Sequence, residues 1–371
     1  MRVAFYAPLK PPDHPTPSGD RHVARLLIEA LRQANHEPVL ASHFRSREPR
    51  GDQLRQVRLA QLGEQLARRV VRQWRGPPPD VWFTYHLYYK APDWIGPLAA
   101  DAWGIPYLVA EASHAPKRRG GPWDMSHRAV EEALRSAAAV CCVNPNDKPC
   151  LEAIAAGRLY DLPPFLNTGP VANAIAVRSS LAERFDLDPA QPWLLAVGMM
   201  RPGDKLASYS VLADALAELE ERPWQLLIVG DGEVREVVRG MFAPMEERVA
   251  WLGQLDEPAL AETYKSCDLL VWPAMREAFG MALLEAQAAG LPVVAGKTGG
   301  VPGVVADGET GLLTPPGDAE AFATAVTQLL DDRSLREAMG QAASARVLQH
   351  HSLESAAAVL DRILQEVTCR S

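Results

Sequence analysis

Two glutamates and two basic residues in the second half of the chain have the types and spacing needed to bind a polar, phosphorylated ligand. Glu277 and Glu285 stand eight residues apart and follow an apolar run typical of a strand. If both were helical, their carboxylates would lie about 80° apart around the helix axis and roughly 12 Å apart along it. That separation is too large for sharing one proton and suits two hydroxyl-bearing parts of one extended ligand. Arg201 and Lys205, four residues apart after another apolar run, form a cationic pair that could stabilise the charge on a leaving diphosphate.

A glycine lies between the two glutamates. Gly280 precedes an aliphatic run that predicts a helix, so a phosphate could approach backbone N–H groups at the positive end of the helix dipole. Phe279 and Met281 on either side would offer further backbone N–H groups to the ligand. The alternative interpretation is an ordinary buried helix that carries two solvated glutamates.

The wider pattern resembles the donor site of the GT-B glycosyltransferases, specifically the retaining enzymes of family 4, the glycosyl transferases group 1. The spacing of the glutamates is a weak signal, but the ordered motifs that accompany it are specific; they lie at 273–285, 290–295, 299–302 and 308–313. The resemblance implies that Glu285 binds the ribose hydroxyls and that Glu277 binds hydroxyls of the donor sugar. It implies further that Arg201 and Lys205 bind the leaving diphosphate and that Gly300 belongs to a tight turn near the sugar.

The same resemblance implies the reaction. A hexosyltransferase-type enzyme would move a sugar from a nucleotide-diphosphate sugar to a hydroxyl acceptor, which could be a glycan, a lipid-linked molecule or a small molecule, with retention of configuration. No cofactor and no metal are expected, and the acidic string at 186–188 is interpreted as a surface turn. The alternatives are another activity of this fold, such as a nucleotide-sugar epimerase or a sugar phosphorylase, and a non-catalytic scaffold.

The first half contributes weaker candidates. Gly19 occupies the position of the family's Gly-Gly loop, which faces the donor phosphates and the acceptor, but Asp20 replaces the second glycine and would repel a diphosphate unless it points away. A capped, flexible turn is the alternative. The resemblance maps a histidine near the reaction centre onto His114, where a neutral imidazole could donate a hydrogen bond to a sugar hydroxyl. His86 could line the acceptor side or be purely structural, and Gly303 stands where relatives often have a glutamate.

These residues need a scaffold of strands and helices. Apolar strand runs alternate with helical patterns, which predicts two doubly wound, Rossmann-like α/β domains, and the resemblance implies that they face each other across a cleft. The predicted boundary divides the chain into an acceptor-side domain, 1–172, and a nucleotide-sugar-binding domain, 173–371, with the last helix returning to the first domain. Predicted strands lie at 3–7, 38–42, 81–85, 107–112, 138–143, 164–167, 193–197, 225–229, 249–252, 269–272, 292–295 and 312–314.

Composition excludes some classes of function. A chain of 371 residues suits two domains, and a net charge of −8 argues against nucleic acid as a partner. The five cysteines show no metal-binding spacing and favour a reducing compartment. An N-terminal strand leaves no room for a signal peptide, so a cytoplasmic location is expected.

The segment 52–75 suggests a second partner. Leu62, Leu66, Val70 and Trp74 recur every four residues and predict one apolar stripe of a helix, while several arginines lie elsewhere on it. A basic amphipathic helix could contact an anionic membrane surface, here the inner face of the cell membrane. The favoured alternative is a helix that covers the sheet and exposes its arginines to water.

Overall fold

The computed structural model describes residues 1–16 and 18–369, which form two α/β units. The first unit comprises Met1–Pro163 and Leu353–Ser371, and the second comprises Pro164–Ser352. Each unit has its own six-stranded sheet, in which all the paired strands are parallel, and its own hydrophobic core between sheet and helices. The prediction of two Rossmann-like domains is therefore confirmed.

The first unit is built around a sheet with strand order β2-β1-β3-β4-β5-β6. Its elements are β1 (Arg2–Tyr6), α1 (Gly19–Gln33), β2 (Glu37–Ser42), α2 (Gln53–Gln73), β3 (Val81–Leu87), α3 (Gly96–Trp103), β4 (Tyr107–Ala112), α4 (Asp124–Ser136), β5 (Ala139–Cys142), α5 (Lys148–Ala155) and β6 (Leu159–Asp161), completed by α14 (Leu353–Cys369) from the end of the chain. Helix α14 packs against α1, and His36 after α1 lies 3.1 Å from the Asp361 carboxylate of α14.

The second unit has the strand order β12-β11-β10-β7-β8-β9. Its elements are α6 (Gly169–Asn173), α7 (Arg178–Phe185), β7 (Trp193–Val197), α8 (Asp204–Ala217), β8 (Gln225–Val229), α9 (Arg235–Phe242), β9 (Val249–Gly253), α10 (Glu257–Ser266), β10 (Leu269–Trp272), α11 (Met281–Ala288), β11 (Val293–Gly296), β12 (Gly311–Thr314), α12 (Ala319–Asp331) and α13 (Arg333–His350).

Both sheets contain a point at which the strand order reverses. In the second unit β7 and β10 are neighbours, while the chain leaves β7 towards β8 on the other side. In the first unit the equivalent neighbours are β1 and β3. Doubly wound sheets bind their ligands beyond the carboxyl ends of the strands at such a switch point, because the two diverging connections leave a crevice there.

The predicted sixth strand, 164–167, is wrong. The strand that pairs with β5 is β6, which ends before Pro163 and Pro164. Proline has no N–H group to donate to a neighbouring strand, so these two residues end the ladder. Leu166, which was assigned to the strand, donates its N–H to the carbonyl of His351 instead.

The predicted apolar stripe of α2 is also wrong at Leu62, which is 42% exposed. The residues of α2 that are fully buried are Gln56, Gly63 and Ala67. Helix α2 approaches the chain at Trp94 so closely that a Cβ added to Gly63 would lie 2.2 Å from the Cβ of Trp94. Close packing at Gly63 thus decides which face of α2 is buried. The other three residues of the predicted stripe, Leu66, Val70 and Trp74, are partly buried and pack against the core.

None of the described helices has both the length and the hydropathy that a membrane span requires.

Candidate functional site

A lysine and a glutamate meet at the switch point of the second unit. Lys205 lies in the first turn of α8, after β7, and Glu277 lies in the loop that follows β10. The Lys205 Nζ is 2.5 Å from the Glu277 Oε2, and the same ammonium group lies 5.3 Å from the ring centroid of Trp272. Both side chains are mostly covered but reach solvent. The two residues assigned from sequence to the leaving group and to the sugar are therefore adjacent.

The loop that carries Glu277 has an unusual backbone. Ala274 and Arg276 have φ angles of +53° and +49°, a region that non-glycine residues rarely occupy. The hydroxyl of Thr298 holds the loop, because its Oγ1 donates to the carbonyl of Ala274 at 2.5 Å and accepts from the N–H of Glu277 at 3.3 Å. The position of the Glu277 carboxylate is thus fixed by tertiary contacts as well as by local sequence.

Helix α11 begins at Met281, so Glu277 precedes it and only Glu285 is helical. The helical geometry considered for two helical glutamates therefore does not apply to this pair. Gly280 is the residue at the helix start, with a φ angle of +73°, where a side chain would be strained. The first N–H groups of any α-helix lack partners within the helix, so the N–H groups of Gly280 and Met281 are suited to hydrogen bonds with an anion, and Phe279 lies just before them.

Two further glycines permit close backbone packing beside this loop. A Cβ added to Gly299 would lie 1.9 Å from the carbonyl oxygen of Glu277, and one added to Gly300 would lie 2.0 Å from that of Ala278. The N–H of Gly300 donates to the Glu277 carbonyl at 3.0 Å. The turn at 299–300 therefore supports the loop that holds the predicted sugar-binding carboxylate.

Glu285 lies in a different environment. Its Oε2 accepts a hydrogen bond of 3.0 Å from the hydroxyl of the buried Tyr264 in α10. Burial raises the pKa of the Glu285 carboxyl to about 7, against the opposing effect of the Tyr264 hydrogen bond, and the charge of Glu257 adds to the rise. A carboxyl group with this pKa changes its charge near neutral pH.

Arg201 differs from Lys205 in having an exposed side chain. Within the part of the chain that the structure describes, no carboxylate lies within ion-pair distance of it. Another cation of this region, Arg276, lies 3.6 Å from Asp204 at the start of α8. Arg201 is thus available to an anionic ligand without first leaving a protein partner.

The switch point of the first unit holds a charged cluster. The Nδ1 of His86, near the end of β3, lies 3.1 Å from the Asp20 carboxylate in the first turn of α1 and 3.5 Å from the Glu111 carboxylate in β4. Burial alone would lower the pKa of His86, but the two carboxylates outweigh it and raise that pKa. The close approach of the His86 imidazole is the main cause that lowers the pKa of Asp20. Asp20 is therefore the anionic partner of a histidine. Among the residues that the structure describes, none lies within 4 Å of a Cβ built on neighbouring Gly19.

His114, the predicted histidine near the reaction centre, has partners for both ring nitrogens. Its Nε2 is 3.0 Å from a Glu131 carboxylate oxygen in α4, and its Nδ1 is 3.2 Å from the carbonyl of Cys150. The guanidinium of Arg119 lies 2.7 Å from the same Glu131 oxygen. The geometry therefore gives His114 a role within the first unit and leaves its predicted contact with a sugar without support.

Sequence reasoning missed the residues that position the predicted ones. Tyr264 and Thr298 contact the two glutamates, and Trp272 lies under the ammonium group of Lys205. Tyr264 and Thr298 carry no local signal, whereas Trp272 could have been found as the last residue of a strand that enters the site.

Comparisons with known proteins agree with this assignment of the site to the second unit. Residues 185–346 match the family described as glycosyl transferases group 1. The sulfoquinovosyl transferase SQD2 of Arabidopsis thaliana is 34% identical over 159 residues, which are 42% of this chain and 30% of that protein. A D-inositol 3-phosphate glycosyltransferase of Streptomyces avermitilis is 29% identical over 305 residues, 74% of this chain and 63% of the relative. The chain thus spans less than two thirds of the length of either relative.

Solved structures share the fold over the whole chain. Sucrose-phosphate synthase from Thermosynechococcus elongatus has a TM-score of 0.74 at 21% identity and covers 100% of both chains. Anabaena HepE in complex with UDP has a TM-score of 0.73 at 18% identity, over 99% of this chain and 100% of its own. The same protein has been solved with UDP-glucose, with a TM-score of 0.68 at 19% identity and full coverage of both chains. The chain therefore has the GT-B fold, and its residues 185–346 belong to the glycosyl transferases group 1.

Proposed function

We propose that this protein transfers a sugar from a nucleotide-diphosphate sugar to a hydroxyl acceptor with retention of configuration. The observation that carries the proposal is the Lys205–Glu277 pair at the switch point of the second unit, beside the start of a helix. One partner has the charge that a leaving diphosphate needs, and the other has the acceptor atoms that sugar hydroxyls need. Since HepE binds UDP and UDP-glucose, these are the first ligands to test.

The pair suggests an exchange of partners when the donor binds. The ammonium group of Lys205 would turn from Glu277 to the diphosphate, and the released carboxylate would accept hydrogen bonds from hydroxyls of the donor sugar. Arg201, which has an exposed side chain, would add the second cation. Two cations and the N–H groups of Phe279–Met281 would together stabilise the leaving diphosphate, so we propose that transfer requires no metal or other cofactor.

In the proposed reaction the acceptor oxygen attacks the anomeric carbon on the face from which the diphosphate departs. The bond from that carbon to the diphosphate oxygen breaks, and the acceptor proton passes to the leaving group. Glu285 would hold the ribose hydroxyls, and Gly300 would keep the supporting turn compact. His114 is not part of this proposal, because both of its ring nitrogens have partners within the first unit.

The test begins with binding. Titration calorimetry with UDP, GDP, ADP and UDP-glucose should give one site per chain for at least one nucleotide, and Lys205→Ala should weaken it. Lys148→Ala is the matched control, because Lys148 forms an exposed pair with Asp161 at 2.9 Å. Release of UDP from the bound donor in the presence of hydroxyl acceptors then measures transfer. By analogy with the loss of an oxyanion donor, Lys205→Ala should cost about 2.7–4 kcal/mol of transition-state stabilisation. Normal turnover by this variant, or binding of no nucleotide, would contradict the proposal.

We propose in addition that α2 brings the protein to an anionic membrane surface, where a lipid-linked acceptor would be found. Leu54, Val57 and Leu62 of this helix are 72%, 39% and 42% exposed, and Arg58 and Arg72 are exposed on the same side by helical spacing. Apolar side chains among arginines suit a layer of anionic headgroups. Flotation with phosphatidylserine vesicles at low salt should carry the protein upward, and Leu54→Glu should reduce the bound fraction. If the unmodified protein does not float with the vesicles, the proposed membrane contact of α2 is wrong.

A further inference from the structure

A group of two histidines and a glutamate lies in the first unit, in α4 and the loop after β4. His127 and Glu131 are four residues apart in α4 and therefore share one face of that helix, and His114 reaches them from the loop after β4. One potential ligand atom from each of the three residues lies within 4.8 Å of the others. The rings of His114 and His127 are stacked with their centroids 5.5 Å apart.

His127 has no partner that explains its position. The residue is 1% exposed, and neither of its ring nitrogens makes a hydrogen bond within the described part of the chain. Leaving a buried polar group unpaired is costly, so such a group calls for an explanation. A neutral imidazole has a lone pair on one ring nitrogen, and that nitrogen can bind a metal ion.

The other two side chains are arranged as metal ligands are. Without an ion, the Nε2 of His114 can donate a hydrogen bond to the Glu131 carboxylate oxygen 3.0 Å away, and a bound cation would take the place of that proton. The carbonyl of Cys150, 3.2 Å from the Nδ1, can accept a hydrogen bond from that nitrogen when the Nε2 binds the ion. A backbone carbonyl on the second nitrogen is a common companion of metal-bound histidine.

We propose that His114, His127 and Glu131 form a structural binding site for one divalent cation of the Zn²⁺ class. Two imidazole nitrogens and one carboxylate are a donor set that zinc accepts, with water completing the coordination. The ion would join α4 to the loop after β4. No step of sugar transfer is assigned to it, so the site is independent of the chemistry proposed for the second unit.

Arg119 is the natural competitor of the metal. Its guanidinium contacts both oxygens of Glu131 at 2.7 and 2.9 Å, yet its side chain is 60% exposed and can swing into water. In the absence of the ion this cation neutralises the carboxylate, and with the ion bound it must leave. Removal of Arg119 should therefore strengthen metal binding, which a purely structural cluster would not show.

The full chain, treated with a chelator and dialysed, should bind Zn²⁺ in calorimetry with one ion per molecule and a raised melting temperature. Arg119→Ala should bind about tenfold more tightly, since hydrogen bonds between charged groups are strong enough for that factor. His127→Ala should lose the site, while His43→Ala should not, because His43 is an exposed histidine paired with Asp13.

Cobalt provides a measurement that does not depend on the stability of the His127 variant. Co²⁺ added to the unmodified protein and to Arg119→Ala should give a visible d–d absorption that Zn²⁺ abolishes. The proposal is overturned if neither protein binds a stoichiometric ion, or if a folded His127→Ala binds as well as the unmodified chain.

Discussion

Glu285 should make binding of the sugar nucleotide depend on pH near neutrality. The carboxyl group has a pKa raised to about 7 by burial, and it accepts one hydrogen bond, from Tyr264. The two hydroxyls of a ribose are both donors, and an ionised carboxylate accepts their hydrogen bonds better than a protonated one. Binding through the ribose should therefore expel the proton from Glu285 and lower its pKa.

The size of the effect follows from the pKa. With a value of about 7, roughly nine tenths of the unliganded protein is protonated at pH 6 and roughly one tenth at pH 8. If only the ionised form binds, the apparent affinity should rise about tenfold from pH 6 to pH 8, which corresponds to about 1.4 kcal/mol. At pH 7 about half a proton should be released for each nucleotide bound.

Calorimetric titration with UDP-glucose is the appropriate assay, because its diphosphate is esterified at both ends and does not titrate in this range. The observed binding enthalpy should differ between Tris and phosphate buffers. The difference should equal the number of protons released per nucleotide multiplied by the difference between the ionisation enthalpies of the two buffers. Glu285→Gln should bind more weakly at pH 8 and show neither the pH dependence nor the buffer dependence. The prediction is wrong if the affinity of Glu285→Gln also rises tenfold from pH 6 to pH 8. It is equally wrong if the affinity of the unmodified protein does not rise over that range.

The raised pKa of Glu285 should also make the free energy of unfolding depend on pH. The folded state holds the Glu285 proton more tightly than the unfolded chain, whose glutamates titrate near 4.5. The resulting stabilisation is present below pH 4.5 and is lost as the pH rises to about 7, and it amounts to about 3 kcal/mol. Glu285→Gln removes this loss, so its melting temperature should exceed that of the unmodified protein at pH 8 and match it more closely at pH 5.

Three further predictions concern the turns and the first unit. Gly19→Ala should leave the melting temperature unchanged, since its Cβ would meet no described residue within 4 Å, but should reduce substrate affinity if a phosphate approaches α1. Unchanged affinity would argue against that contact. Gly300→Ala places a Cβ 2.0 Å from a backbone carbonyl and should cost about 1–3 kcal/mol in chemical denaturation, together with weaker donor binding. Asp20→Asn removes a carboxylate from His86 and should lower the pKa of that histidine in an NMR titration. An unchanged pKa would mean that the other two nearby carboxylates, Glu111 and Asp147, set it.

Much of the second unit could be predicted from sequence, because its strands are short and buried on both faces. The predicted strands 193–197, 225–229 and 269–272 have the bounds observed for β7, β8 and β10. Such strands are continuous apolar runs between turn residues, and a parallel sheet brings their carboxyl ends to one edge. Lys205 and Glu277 follow two of these strands, which is why residues so far apart in sequence could be expected in one site.

The contacts that position the site could not be predicted in the same way. Tyr264 reaches Glu285 and Thr298 reaches Glu277 only because of how α10 and the loop after β11 pack, and neither residue type signals such a contact locally. The stripe of α2 failed for a related reason. Hydrophobic periodicity assumes that the largest apolar residues face the core, whereas Gly63 allows the closest approach and rotates the buried face away from Leu62.

The first unit shows how a departure from a family pattern can be misread. Asp20 in place of a glycine suggested repulsion of a diphosphate, but the structure pairs it with His86 across the switch point between β1 and β3. Both His86 and Glu111 have φ angles in the left-handed region, +64° and +57°, in adjacent strands. Non-glycine residues adopt this conformation at a cost in free energy that the surrounding structure must offset. The aspartate is therefore part of a charge-balanced cluster, and its replacement should affect the protonation of His86 before it affects any bound anion.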